Sequence, residues 1–234
     1  LNPYYKAGQT VSISITESNF YKATYDGKTL SVVSLKASIA TNNLENGSHT
    51  VVVTDKAGNS TSKSFIVDKT APKFTLNEFY NESETVIISI KENNLNYVTF
   101  DGERTNLRSF SAADLDEGTH TVTALDKAGN STTKSFIVDK TAPTFDLNAY
   151  YNASHDIILS IKEINLDYVT LDGNKITNYT IATSTLTDGT HTIIVYDKAG
   201  HNTKKSFIID KTAPAFNLNP YYKAGQTVSI SITE

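Results

Sequence analysis

Residues 115–140 read LDEGTHTVTALDKAGNSTTKSFIVDK. His120, Val122 and Ala124 alternate with Thr121 and Thr123, and further on Phe136 and Val138 alternate with Ser135 and Ile137. A period of two puts one set of side chains on a core and the other in water, which is the pattern of a half-buried strand. Between the two runs stands Asp126-Lys127-Ala128-Gly129-Asn130. There Asp caps backbone N–H groups at the head of a turn and Gly takes its left-handed position. The stretch therefore predicts two strands joined by a tight turn.

The same stretch recurs. Asp55-Lys56-Ala57-Gly58-Asn59 lies 71 residues before the quoted turn, and Asp197-Lys198-Ala199-Gly200-His201 lies 71 residues after it. Asp-Lys-Thr-Ala-Pro occurs at 68–72, 139–143 and 210–214, and LN-x-[YF]-Y begins at Leu1, Leu76, Leu147 and Leu218. Repeats 2 and 3 align without gaps, while repeat 1 carries four extra residues between Asp26-Gly27 and Gly47, in a loop. Residues 218–234 are identical to residues 1–17. The expected division is therefore repeat 1 at 1–69, repeat 2 at 70–140, repeat 3 at 141–211, and the first strands of a fourth repeat at 212–234. A period near 71 residues is in the range of the smallest domains that fold on one core.

Each repeat reads as all-β. Val86, Ile88 and Ile90 alternate with Ile87, Ser89 and Lys91, matching Val11, Ile13, Ile15 and Ile157, Leu159, Ile161 in the other repeats. Val98 and Phe100 form the next strand, which ends at the Asp101-Gly102 turn. No helical stripe is present, and short strands at regular turn spacing predict a small sandwich. At the corner before the quoted strand, His49, His120 and His191 stand where an immunoglobulin domain has its corner Tyr, and Val51, Val122 and Ile193 stand where it has the second Cys. The chain has no Cys and no Trp, so aliphatic packing replaces a disulfide core.

Asp-Gly-x-His-Thr, Asp-Lys-Ala-Gly-Asn and Ser-Phe-Ile-Val-Asp-Lys-Thr-Ala-Pro, in that order, resemble the bacterial Ig-like repeat domains of large cell-surface adhesins. The resemblance covers essentially the whole chain. It implies a tandem array of Ig-like β-sandwiches, located outside the cell on the surface or in the wall, with neighbouring repeats of the same array as partners. It implies the stalk of an adhesin or surface fibre; the alternative is a module that binds glycan or host protein, and a third class is the accessory region of a surface enzyme.

Composition excludes several classes. The net charge is −4 with no basic stripe, against a nucleic-acid binder. No apolar run approaches a membrane span, and zero cysteine rules out thiolate metal sites. No nucleophilic triad or phosphate loop stands out, and every conspicuous polar motif occurs three times, a pattern of architecture more than of catalysis. No enzyme is expected. Lys and Asn are plentiful, but sequence places no reacting pair for an intramolecular isopeptide bond.

The usual sandwich topology gathers the linker, the B–C loop and the F–G turn at one end of a domain. In repeat 2 these bring Asp68, Glu92, Asn94, Asp126 and Asn130 together, and in repeat 3 Asp139, Glu163, Asn165 and Asp197. Clustered carboxylates and amide oxygens are what Ca²⁺ requires, and a resemblance to calcium-dependent extender domains and cadherins implies an ion that stiffens the array. Turn capping accounts for the same residues with no cofactor, and Lys69 and Lys127 work against a dense anionic cage, so both readings stay open. The corner histidines lie one per domain and cannot converge on a metal; hydrogen bonds to nearby backbone satisfy them. His155 and His201 read as isolated loop histidines. The aromatic pairs Tyr4-Tyr5, Phe79-Tyr80, Tyr150-Tyr151 and Tyr221-Tyr222 are the candidate binding residues, with position 79 singled out. The alternative is that one ring of each pair covers the sandwich end.

The Asp-Lys-Thr-Ala-Pro linker is short and its proline restrains the preceding Ala. With strands of roughly 26 Å, three sandwiches end to end predict a rod on the order of 100 Å. Residues 218–234 supply two strands alone, a marginal piece with an edge open to another chain. They read as the overlap of a 217-residue unit in a longer array, or as a stub that completes a neighbouring chain and builds a filament.

Overall fold

The computed structural model describes residues 3–233; Leu1, which opens the first LN-x-[YF]-Y motif, and Glu234 lie outside them. Repeat 1 is built of β1 (Tyr4–Tyr5), β2 (Thr10–Ser14), β3 (Phe20–Tyr25), β4 (Lys28–Leu30), β5 (Lys36–Ala40), β6 (Gly47–Asp55) and β7 (Ser60–Val67). One sheet has the order β1-β7-β6-β3-β4, and β2 pairs with β5 in the other. β1 runs parallel to β7, with Tyr4 opposite Ile66 and Tyr5 opposite Val67, and the other pairs are antiparallel. This is an Ig-like sandwich.

Repeat 2 repeats the plan with β8 (Phe79–Tyr80), β9 (Thr85–Ile87), β10 (Leu95–Phe100), β11 (Glu103–Thr105), β12 (Ser109–Ser111), β13 (Gly118–Asp126) and β14 (Ser131–Val138). In repeat 3, β15 (Thr144–Phe145) pairs with β18 (Ile161–Lys162), and β16 (Tyr150–Tyr151) runs parallel to β23 (Asn202–Ile209). β17 (Ile157–Ile158) pairs with β21 (Thr180–Ile181), while β19 (Leu166–Leu171), β20 (Asn174–Ile176) and β22 (Gly189–Asp197) complete the larger sheet. β24 (Ala215–Asn217) and β25 (Ser231–Thr233) form a two-stranded ribbon.

The hairpin β13–β14 is the stretch read first from sequence, in register from Gly118–Val138 to Leu125–Ser131. Its inward residues meet the alternation of β9 to form the core of repeat 2, with Val86, Val98, Val122 and Val138 fully buried. Each repeat has a hydrophobic cluster of its own. At its centre Phe65, Phe136 or Phe207 meets Tyr5, Tyr80 or Tyr151 edge-on, at ring-centroid distances of 5.5, 5.2 and 5.6 Å. The chain divides into two compact units, Leu1–Asp139 and Lys140–Glu234. Among the described residues no helix is long and apolar enough to cross a membrane.

Candidate functional site

Asp68 follows β7, Glu92 and Asn94 lie between β9 and β10, and Asp126 and Asn130 frame the β13–β14 turn. The fold brings these elements together within the first unit. The Asn94 amide donates to Asp68 Oδ2 at 2.8 Å, and Thr70 donates to Asp68 Oδ1 from its backbone N–H and its hydroxyl. The Asn130 amide donates both to Asp126 Oδ2 at 2.7 Å and to the carbonyl of Asp68 at 2.8 Å. Glu92 accepts from the backbone N–H of Asn94 at 2.7 Å, and the Asn94 carbonyl accepts from Lys127. The linker is thus fastened to the loops of repeat 2 by side-chain amides.

Electrostatically the same place is unusual. One carboxylate oxygen each from Asp68, Glu92 and Asp126 lies within 4.8 Å of the others. Asp126 is fully buried and Asp68 nearly so. Burial opposes the charge on Asp68, but the hydrogen bonds from Asn94 and Thr70 outweigh it and hold its carboxyl below the usual value. Among the described residues, no Lys, Arg or His side chain hydrogen-bonds to these three carboxylates. Lys127 instead sits 5.4 Å from the Tyr4 ring centroid, and Lys6 donates to the Gly129 carbonyl. Three convergent carboxylates are donors of the kind Ca²⁺ takes, but the Asn94 and Asn130 amides present their nitrogens to them, so an amide would have to turn to add its oxygen.

Within the second unit, Asn165 donates its backbone N–H to Glu163 at 2.6 Å and accepts from Lys198, as Asn94 does between Glu92 and Lys127. Asp197 is buried and accepts from the backbone and the ring Nδ1 of His201, at 2.8 and 3.0 Å. His201 is therefore no idle loop histidine, because its ring N–H takes the place of the Asn130 amide. Asp139 is also buried, and its backbone N–H donates to the Tyr80 carbonyl. In repeat 1 the arrangement is half present, with Asn59 holding Asp55 and Asn19 held by Glu17.

The corner histidines have a second partner that the sequence reading did not name. His49 Nε2 donates to the Glu45 carbonyl at 2.9 Å, the expected backbone bond, while Nδ1 donates to Asp26 at 2.6 Å. His120 pairs likewise with the Asp116 carbonyl and Asp101, and His191 with the Thr187 carbonyl and Asp172. A ring with a carbonyl on one nitrogen and a carboxylate on the other donates from both, so it carries a proton on each. Burial works against that charge, and the hydrogen bonds outweigh it, so all three histidines titrate above their ordinary value and all three aspartates below theirs. Asp26 and Gly27, Asp101 and Gly102, and Asp172 and Gly173 all have positive φ, the two-residue turn that matches strand twist. The signal was available: His120 and His191 each follow their Asp-Gly by the same number of residues, and His49 follows its own by four more, the size of the loop insertion.

The pairs Tyr4-Tyr5, Phe79-Tyr80 and Tyr150-Tyr151 form strands of their own, each laid parallel on the last strand of its repeat. Tyr5 and Tyr80 are buried, and the Tyr80 and Tyr151 hydroxyls accept from the backbone of Asn77 and Asn148. The first ring varies: Tyr4 and Phe79 are half-buried and Tyr150 is exposed. Tyr221 and Tyr222 are exposed.

Residues 65–140 match the family model described as a bacterial Ig-like domain. No curated protein matches the chain. Among solved structures it is similar to the Bacteroides ovatus mixed-linkage glucan utilization locus protein SGBP-B in complex with a mixed-linkage heptasaccharide. That match has 15% identity, covers 95% of this chain and 71% of the other, and has a TM-score of 0.25. The chain is also similar to the fibronectin(III)-like modules of Clostridium thermocellum CbhA, with 15% identity, 59% and 89% coverage and a TM-score of 0.34. Drosophila OTK extracellular domains 3–5 match with 12% identity, 90% and 94% coverage and a TM-score of 0.34. At these identities the likeness is one of fold alone.

Proposed function

We propose that the chain is a spacer of a bacterial cell-surface adhesin or surface fibre, in which Ig-like repeats supply reach and stiffness and carry no catalytic centre. The observation that supports this is the fastening of the linker: Asp68 is bound through its carboxylate to Asn94 and through its carbonyl to Asn130. A linker so held resists swing between repeats 1 and 2. Single-molecule energy transfer between dyes on these two repeats tests it. A narrow distance distribution that broadens in the Asn94→Ala/Asn130→Ala double variant is expected, and a broad distribution in the parent chain would sink the reading. The alternative, a module that binds glycan or host protein through the aromatic pairs, is less well supported, because the exposure of the first ring changes from repeat to repeat. A glycan array separates the two.

A second reading of the same junction is favoured by the three carboxylates without a cationic partner. We propose that Asp68, Glu92 and Asp126, with the Asn94 amide turned to present its oxygen, hold a hard divalent cation of the Ca²⁺ type, which would lock the linker further. Asp139, Glu163, Asn165 and Asp197 are the corresponding candidates from sequence.

A further inference from the structure

The chain has two arginines, and both stand in one stretch of repeat 2, Glu103-Arg104-Thr105-Asn106-Leu107-Arg108. Arg104 lies on β11, at the edge of the larger sheet, and its guanidinium carbon is 3.8 Å from the ring centroid of Tyr97 on β10. A guanidinium held on an aromatic face keeps its N–H edge free for an anion. Arg108 is fixed through its backbone, since its carbonyl accepts from the N–H of Ile88 at 2.8 Å, and its Nη1 donates to the Leu107 carbonyl at 3.0 Å. Thr105 Oγ1 accepts from the Leu107 N–H at 3.0 Å, so a side chain braces the connection between the two arginines.

Among the described residues no carboxylate pairs with either guanidinium. Glu103 is on the same short strand but opposite Phe100, which packs on the core, so alternation turns it to the other face of the sheet. Two unpaired guanidiniums in a chain of net charge −4 are a local excess of positive charge. Arg104, Asn106, Leu107 and Arg108 are all exposed, Leu107 at 59%. β10 pairs with β11 through Val98–Thr105, and the continuation of that register brings the exposed Asn96 opposite Leu107. This corner stays open although repeat 1 precedes it in the same compact unit.

We infer that Arg104 and Arg108, with Asn96, Asn106 and Leu107, bind an acidic glycan. The guanidiniums take the oxyanions of sulfate or uronate groups through paired N–H bonds, the amides read hydroxyls, and Leu107 supports the apolar face of a sugar ring. Amides and an aliphatic side chain set among the charges favour a sugar over a plain polyanion. Repeat 3 keeps the cation on the ring, with Lys175 Nζ 3.6 Å from the Tyr168 centroid, but has Asp167 for Asn96 and Tyr179 for Arg108. Repeat 1 has Lys22 for Tyr97 and Thr29 for Arg104. The site therefore belongs to repeat 2 alone among the three. It involves none of the aromatic pairs, goes beyond the spacer reading, and stands or falls separately from it.

The test uses the whole chain and two probes, a heparin-derived octasaccharide, which carries sulfate and uronate, and an octamer of galacturonate, which carries carboxylate alone. With two arginines in the chain, nitrogen-15 spectra hold two arginine Nε signals, and both should shift saturably as the probe fills the site. Shifts with the heparin probe alone assign sulfate as the group read, and shifts with galacturonate assign carboxylate. Arg104→Gln and Arg108→Gln are each expected to weaken binding about tenfold, the lower end for a hydrogen bond to a charged group. Arg104→Lys keeps the charge but loses the paired N–H geometry, and should also weaken it. Lys175→Gln, at the same register of repeat 3, should leave binding unchanged. Melting should be the same for all of these variants, because Arg104 and Arg108 are exposed. Silent Nε signals with both probes, full affinity in either Gln variant, an equal loss in Lys175→Gln, or equally tight binding of polyglutamate would each overturn the inference.

Discussion

His49, His120 and His191 stack against Phe65, Phe136 and Phe207 at centroid distances of 5.5–5.6 Å while donating to Asp26, Asp101 and Asp172. A charged ring is at home on an aromatic face. The raised histidine values make each pair's contribution complete below pH 6.5, the unfolded value, and progressively lost as pH rises through the folded value. The lowered aspartate values make it complete above pH 3.8 and lost as pH falls through the folded value. All three repeats should therefore be most stable, as far as these pairs decide it, between about pH 4 and 6.5. The aspartates are about one-third or more exposed, so screening limits each pair to roughly 1 kcal/mol. Nitrogen-15 spectra at pH 6.5 should show both ring nitrogens protonated in these histidines; a neutral tautomer there would refute the charged pair. Asp101→Asn keeps a residue suited to positive φ and loses only the charge, whereas Asp101→Ala also takes on the left-handed penalty of about 1–2 kcal/mol. The denaturation midpoint should fall further for Ala than for Asn.

At the scale of the strand, what could be read from sequence followed from length. β6 and β13 alternate over nine residues, so their faces were legible. β4, β11 and β20 span three residues each, too few for a period, and the 3₁₀ turn Ala112–Asp114 is equally short. The parallel seating of β1, β8 and β16 was illegible for another reason: a two-residue ladder is set by where the sheet edge stands, not by local pattern. The gathering of Asp68, Glu92, Asn94 and Asp126 followed from topology, but the donor role of the Asn94 and Asn130 amides depends on rotamers that sequence does not encode. Two substitutions test the packing of these strands. Phe136 is 1% exposed at the centre of repeat 2, and Phe136→Ala should cost about 3–5 kcal/mol, enough to make β8–β14 the first region cut by protease. On β19, Thr170 is 6% exposed and its hydroxyl has no partner. Thr170→Val keeps the β-branch and removes an unpaired buried hydroxyl, so calorimetry should show repeat 3 stabilised by about 1 kcal/mol.

At the scale of the whole molecule the decisive question is what neutralises the first junction. Asp68 is held ionised at neutral pH by Asn94 and Thr70, and Glu92 and Asp126 bring further carboxylate oxygens within 4.8 Å. Amide and backbone N–H donors satisfy lone pairs but supply no net positive charge. A divalent cation supplies it, at the expense of turning at least the Asn94 amide so that oxygen points inward. For a site of extracellular type, with a dissociation constant of about 0.1–1 mM, 10 mM Ca²⁺ should stabilise the folded junction by roughly 1.4–2.7 kcal/mol. For a domain of this size that is a rise of about 6–20 °C in the lowest-melting transition affected, relative to EDTA. Asp68→Asn discriminates the mechanism. It keeps an oxygen for Thr70 but loses the acceptor for the Asn94 amide and the charge that these hydrogen bonds favour, so in EDTA it should lower melting modestly. In calcium it should abolish the rise. Melting that is the same in EDTA and Ca²⁺ for the parent chain would leave the junction a latch of hydrogen bonds alone, with its stiffness carried by Asn94 and Asn130.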